Sequence, residues 1–154
     1  MTAALTIREA RRDDVPALVA LFAADDLGGH GDTSDPAALP LYMSAFDRIA
    51  ASANDRLYVA EFGGEVVGTF QTTLITSMTG RGATSMKIEA MQTRADLRGQ
   101  GIGAAMIGFA VERAREAGAA SVQLTSNLKR QDAHRFYRRL GFIQSHAGFK
   151  LALK

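Results

Sequence analysis

Arg98-Gly99-Gln100-Gly101-Ile102-Gly103 sets a cation beside three glycines within five residues. Glycine lets backbone N–H groups come close to a ligand with no Cβ in the way. A strand-like run precedes the segment, and a helical run over about residues 101–117 follows it. The positive end of that helix then faces the same spot. Such a junction is an anion cradle, most often for a pyrophosphate.

Two common pyrophosphate motifs fail on context. Gly99-x-Gly101-x-x-Ala104 nominally fits the dinucleotide-binding fingerprint. That fingerprint begins at the strand end, whereas Ala95-Asp96-Leu97-Arg98 intervene here. It also wants an acidic residue about 20 positions on, at the end of the next strand. Ser121-Val122-Gln123-Leu124-Thr125-Ser126-Asn127 holds none. The nucleotide-hydrolase phosphate loop needs Lys-Ser or Lys-Thr after its glycines, and neither follows.

The elements that must position this loop can be read from the pattern. Leu5 to Arg8 is a short strand, and Arg12 to Pro16 starts a helix with Asp at the cap and Pro in the first turn. Asp25 to Pro36 is a Gly- and Asp-rich loop, and a second helix covers Ala37 to Ala51. Leu57 to Phe62, the turn Gly63-Gly64 and the long run Val66 to Thr76 form a hairpin. Met78 to Thr84 is a loop, and Ser85 to Thr93 is the next strand. Gly118 ends the helix after the glycine loop, Ser121 to Leu124 is a strand, and Gln131 to Leu140 is a helix stopped by Gly141. Phe142-Ile143 and Phe149 to Leu153 suggest two closing strands. A hairpin followed by alternating strands and helices is a mixed α/β class.

Composition bounds the rest. The chain of 154 residues suits a single domain, residues 1–154, with a sizeable core. At 47% apolar and 22% charged it is globular and soluble rather than disordered. No apolar run approaches the roughly 20 residues of a membrane span, and Met1 to Leu5 does not open a signal peptide. The expected compartment is the cytoplasm. With no cysteine, disulfides, thiolate metal sites and a cysteine nucleophile are excluded. His30, His134 and His146 are too scattered for a metal site, and no metal is expected. A net charge of +2 is too small to argue for nucleic acid, and neither nucleic acid nor membrane is expected as a partner. Lys129, Arg130, Arg135, Arg138 and Arg139 crowd a short stretch against Asp132 alone. Alone they read as a solvated helix face; near a phosphate cradle they favour a polyanionic ligand.

Arg98-x-x-Gly101-x-Gly103, preceded by Ile88-Glu89-Ala90-Met91-Gln92-Thr93, resembles the acetyl-CoA motif of the GNAT superfamily of N-acetyltransferases. Ala133-His134-Arg135-Phe136-Tyr137-Arg138-Arg139-Leu140-Gly141-Phe142 is similar to that family's A-x-x-F-Y-x-x-x-G-F block, and the two blocks stand in the family's order. The tail from Ser126 to His146 also resembles aminoalkylphosphonate N-acetyltransferases. The resemblance implies the GNAT fold, a central, mostly antiparallel, twisted sheet with helices on both faces. It implies direct transfer of acetyl from acetyl-CoA to a primary amine of a small molecule or peptide.

The resemblance also assigns roles. Backbone N–H groups of Arg98, Gly99, Gln100, Gly101, Ile102, Gly103 and Ala104 would hold the pyrophosphate, with Arg98 adding charge. Met91, Gln92 and Thr93 would pair with the pantetheine amides like an added strand, the Met91 N–H serving the thioester oxygen. Glu89 would take a proton from the acceptor, since an alkylamine with a pKa near ~10 must lose one to attack. Tyr137 would give a proton to the leaving thiolate; on spacing alone it is a core aromatic beside Ala133, Phe136 and Leu140. Asn127 is expected to bind the pantetheine or cofactor. Arg130 stands where the family often has Asn, and is counted with the cofactor residues. The acceptor side would include the loop with Asp25, Asp26, Asp32 and Asp35, which favours a cationic acceptor; Arg48, Arg56 and Arg81 would suit an anionic one. A homodimer is compatible with this fold. The other class of function is a catalytically silent acyl-CoA-binding sensor or partner module.

Overall fold

The computed structural model describes residues 4–25 and 30–154. The chain divides into two compact units, Met1–Leu124 and Thr125–Lys154. The first holds β1 (Thr6–Glu9), α1 (Val15–Ala23), α2 (Leu39–Ala51), β2 (Asp55–Phe62), β3 (Glu65–Thr76), the single turn α3 (Thr79–Gly82), β4 (Thr84–Thr93), α4 (Ile102–Glu116) and β5 (Ser121–Leu124). The sheet runs β1-β2-β3-β4-β5. Its first three pairings are antiparallel, and β4–β5 is parallel. In this unit the mixed α/β class and the order of strands and long helices are as the pattern predicts, with ends shifted by up to three residues; the single turn α3 forms within the segment read as a loop.

Local chemistry explains the turns. Gly63 and Gly64 take φ of +61° and +79°, the positive values that a two-residue hairpin turn needs. At the end of α4, Gly118 N–H donates to the Arg115 carbonyl and Ala119 N–H to the Ala114 carbonyl, a pairing that leaves few terminal carbonyls unmet.

The core sits on both faces of β3. Val67, Thr69 and Phe70 are fully buried although neighbours along a strand alternate in face, so both faces are covered. On one face Tyr58 stacks on Phe70 at 5.0 Å, and Phe109 of α4 meets Tyr58 edge-on at 5.1 Å. A Cβ at Gly68 would stand 3.0 Å from Met106 Sδ, so glycine there lets α4 lie close to the sheet. The other face is covered by α1, which packs on β3 and β4. The buried Thr69 hydroxyl is satisfied by the Tyr58 carbonyl at 2.8 Å.

A charged cluster fixes the start of α1. Asp14 accepts from Arg8 at 2.7 and 3.0 Å and from the Arg11 N–H at 2.6 Å, while Arg8 also reaches Glu61 at 2.8 Å. The Arg8 hydrogen bonds hold the Asp14 carboxyl below the ordinary carboxylate range, against the opposing effect of burial. A carboxyl lowered in the folded state adds stability above its unfolded pKa and loses it as pH falls. Asp14→Asn should therefore cost about 2 kcal/mol at neutral pH. The gap to the wild type should narrow below about pH 4. Urea unfolding at both pH values reads this, and a gap independent of pH would contradict it.

The second unit carries α5 (Gln131–Arg139). Gly141 stops it at φ +95°, with Gly141 N–H on the Arg138 carbonyl and Phe142 N–H on the Tyr137 carbonyl. The closing strands expected at Phe142-Ile143 and Phe149 to Leu153 are not formed; no regular element follows α5. Phe149, Leu151 and Leu153 are 97%, 86% and 89% exposed. Alternation in sequence specifies which face a strand would bury, but a strand also needs a ladder partner, and none is present among the described residues. Among the described residues no helix is long and apolar enough to cross a membrane.

Candidate active site

The decisive feature of the first unit is the C-terminal half of β4. β5 pairs only with Ser85 to Ile88. Glu89 to Thr93 therefore have no strand partner on that side among the described residues, while β3 holds their other side. Within this run the register slips. Thr69 faces Gln92 and Gln71 faces Glu89, so Ala90 and Met91 together oppose Phe70. This is a bulge, and Ala90 takes φ +54° to make it. A non-glycine residue in the left-handed region costs on the order of 1–2 kcal/mol. The surrounding pairing imposes it, and the open edge of β4 is re-aimed at that point.

The glycine loop follows directly. Gly99 and Gly101 take φ of +79° and +87°, and a Cβ at either would meet nothing within 4 Å. Glycine is needed here for the backbone turn, and the space beyond it is open. The first N–H groups of α4, from Ile102 on, have no partner within the helix. Ala105 N–H already bonds the Gly101 carbonyl at 3.0 Å, so the unmet donors are those before it. The Ile102 side chain is buried, which leaves only its backbone for a ligand. Gln100 and Arg98 are exposed, and Arg98 Nε donates to the Thr93 carbonyl at 3.3 Å, tying the loop to the end of β4. Arg94 is held by Asp96 and Glu65, so its charge is matched locally. The open strand edge and the cradle thus suit an extended chain ending in phosphates.

Glu89 is exposed, and Met91, Gln92 and Thr93 are half-buried. The Gln92 side chain makes a contact that sequence reasoning missed: its Nε2 donates to Asp25 Oδ2 at 2.8 Å. A separation of 67 residues leaves no local signal for it. Elsewhere in the acidic loop Asp32 accepts from the Tyr42 hydroxyl at 2.7 Å, and Asp35 accepts from Ala37 N–H at 3.0 Å. Asp26 lies outside the described residues. Of the alternative cations, Arg56 pairs with Glu9 at 3.2 Å, while Arg48 and Arg81 are exposed.

In the second unit the structure brings Asn127, Arg130 and Tyr137 into one neighbourhood. Asn127 Oδ1 accepts from Lys129 N–H at 2.9 Å and shapes the turn before α5. His134 lies off the apolar face of its helix, yet it is half-buried and bonds the Asn127 carbonyl through Nε2 at 2.9 Å. Tyr137 is half-buried between Phe136 and Phe142, with ring centroids 5.3 and 5.8 Å away. Burial pushes its phenol up, and the Arg130 charge pulls weakly the other way. The Ser126 hydroxyl is buried with no hydrogen-bond partner among the described residues.

A cavity of about 310 Å³ opens elsewhere, between α2 and the start of β2. Its polar groups are matched internally: Asp55 accepts from Ser52 and Thr73, each at 2.6 Å, and Glu9 pairs with Arg56. It lies at the sheet edge opposite β4–β5 and takes no part in the cradle. Among the described residues no group of three or more metal-ligating side chains gathers.

Residues 16–142 match the acetyltransferase (GNAT) family. The chain belongs to that family. It is 39% identical to a Bacillus halodurans protein solved as a transcriptional regulator, with a TM-score of 0.93 over 97% of this chain and all of that one. A 67-residue stretch is 46% identical to the aminoalkylphosphonate N-acetyltransferase of Salmonella typhimurium, covering 44% of each chain. The matched stretches span less than half the length of the curated relatives. A Clostridium acetobutylicum structure with acetyl-CoA shares this GNAT fold at 20% identity, with a TM-score of 0.73 over 97% of both chains.

Proposed function

We propose that this GNAT protein is an acetyl-CoA-dependent N-acetyltransferase that moves acetyl directly to the primary amine of a small molecule or peptide. The observation that carries this is the open, bulged edge of β4 running into the glycine cradle of α4. Acetyl-CoA, when bound, supplies an acetyl group already activated as a thioester. The β4 edge at Met91 to Thr93 pairs with an extended amide chain, and the N–H groups from Arg98 to Ala104 hold its phosphates. Glu89, exposed on β4, accepts the proton that the incoming ammonium must shed. Tyr137 holds its proton at neutral pH as any phenol with a pKa of about 10 does, burial pushes it further the same way, and it can give that proton to the departing sulfur. Asn127 and Arg130 shape the turn beside it. The proposal puts the protein in the cytoplasm with its donor.

The test is acetyl-CoA-dependent release of free CoA over an amine panel. Spermidine, kanamycin, 2-aminoethylphosphonate and a lysine peptide cover the cationic and anionic classes. The Salmonella relative argues for the phosphonate, and the carboxylates between α1 and α2 argue for a cation. The similarity to a transcriptional regulator favours a second reading, an acetyl-CoA sensor. It predicts acetyl-CoA binding with no CoA release. A homodimer belongs to the proposal as well, supported by the exposed Phe149, Leu151 and Leu153. Sedimentation should give twice the chain mass at micromolar concentration, and a monomer there would remove it.

A further inference from the structure

We propose that Gln92 is a positioning residue for the amine acceptor, acting through its side chain: it ties the end of α1, via Asp25, to the strand that presents the acyl group. The inference deepens the N-acetyltransferase reading and rests on it.

Residues three apart on a regular strand point to opposite faces. Glu89 and Gln92 would therefore diverge. The extra residue of the bulge cancels the offset: Glu89 faces Gln71 and Gln92 faces Thr69, two odd-numbered positions on one face of β3. The opposite face carries Tyr58, Gly68 and Phe70 against α4. The strain at Ala90 thus does more than open an edge. It turns the Gln92 side chain toward α1, where Asp25 meets it at 2.8 Å.

Elimination shows why that face matters. β3 covers one edge of β4, and the proposed donor takes the other together with the α4 N-terminus. α4 covers one face. α1 packs on the other face, but Glu89 there is exposed, so the approach left for an amine runs beside Glu89 and past the end of α1, where Gln92 meets Asp25. Ahead of α2, the Tyr42 hydroxyl donates to Asp32 at 2.7 Å and accepts from Thr33 N–H at 3.2 Å, so residues 32 and 33 are held as well. Gln92 holds Asp25 at the end of α1. Its backbone serves the donor side, while its side chain sets the wall the acceptor must pass.

Gln92→Leu keeps the bulk and removes the donor group. With the panel amine that turns over fastest, its acceptor KM should rise about tenfold while kcat stays within about threefold. The Kd for acetyl-CoA by calorimetry should stay within about twofold. Gln92→Glu sets a carboxylate against Asp25, so its acceptor KM should rise as well, again with kcat within about threefold. Hydrogen exchange of the ligand-free Leu variant should quicken at the amides of Ala23 to Asp25. An unchanged acceptor KM in a working enzyme overturns this inference alone, as does a loss shared equally by acetyl-CoA affinity. A wild-type protein silent with every amine overturns it together with the N-acetyltransferase reading.

Discussion

Gly101→Val should weaken acetyl-CoA binding at least about 100-fold, which is about 2.7 kcal/mol. Two effects add. Gly101 sits at φ +87°, ψ 3° as the residue that opens α4. A β-branched residue is an outlier in that region, so the loop must rearrange and the N–H groups after it turn away. The added side chain would also stand in the open space before those groups, since a Cβ there has no protein neighbour within 4 Å. The same openness means that the substitution causes no clash in the core, so the fold should survive. Calorimetric titration with acetyl-CoA, beside a far-ultraviolet dichroism spectrum, reads both. A folded variant that binds as well as wild type would remove the cradle from the account.

Tyr137→Phe should lower kcat about 10²- to 10³-fold and leave acetyl-CoA affinity in place. The variant keeps the ring between Phe136 and Phe142, so stability should change by no more than about 0.5 kcal/mol. Only the hydroxyl is lost. The wild-type pH profile should carry the matching sign. Burial raises the Tyr137 phenol above its ordinary value of about 10, so the proton-giving form is lost only as pH climbs past that range. The Phe variant should lack this alkaline limb. Full activity in Tyr137→Phe would leave the tyrosine as packing alone.

Much of the fold is written locally and could be read there. Gly63-Gly64, Gly101, Gly118 and Gly141 mark turns and helix ends because positive φ is a property of the single residue. The order of strands and helices follows from periodicity. The β4 bulge could not be read, because Ala90 has no preference for the left-handed region; the register with β3 forces it there. The Gln92–Asp25 bond was invisible for the same reason, being a product of that bulge acting across 67 residues. The final strands misled in the opposite direction. Phe149-Lys150-Leu151-Ala152-Leu153 alternates well, yet alternation carries no information about whether an edge is available to receive it. His134 likewise lies off the apolar face of α5, where the pattern puts it at the surface, and is held instead by the Asn127 carbonyl.

The most direct test of the central claim is release of free CoA from acetyl-CoA by the purified chain, with and without each amine of the panel. The account predicts saturable release that depends on one class of amine, with the acetylated amine formed in equal amount. Acetyl-CoA binding without amine-dependent release from any class would contradict it and favour the sensor.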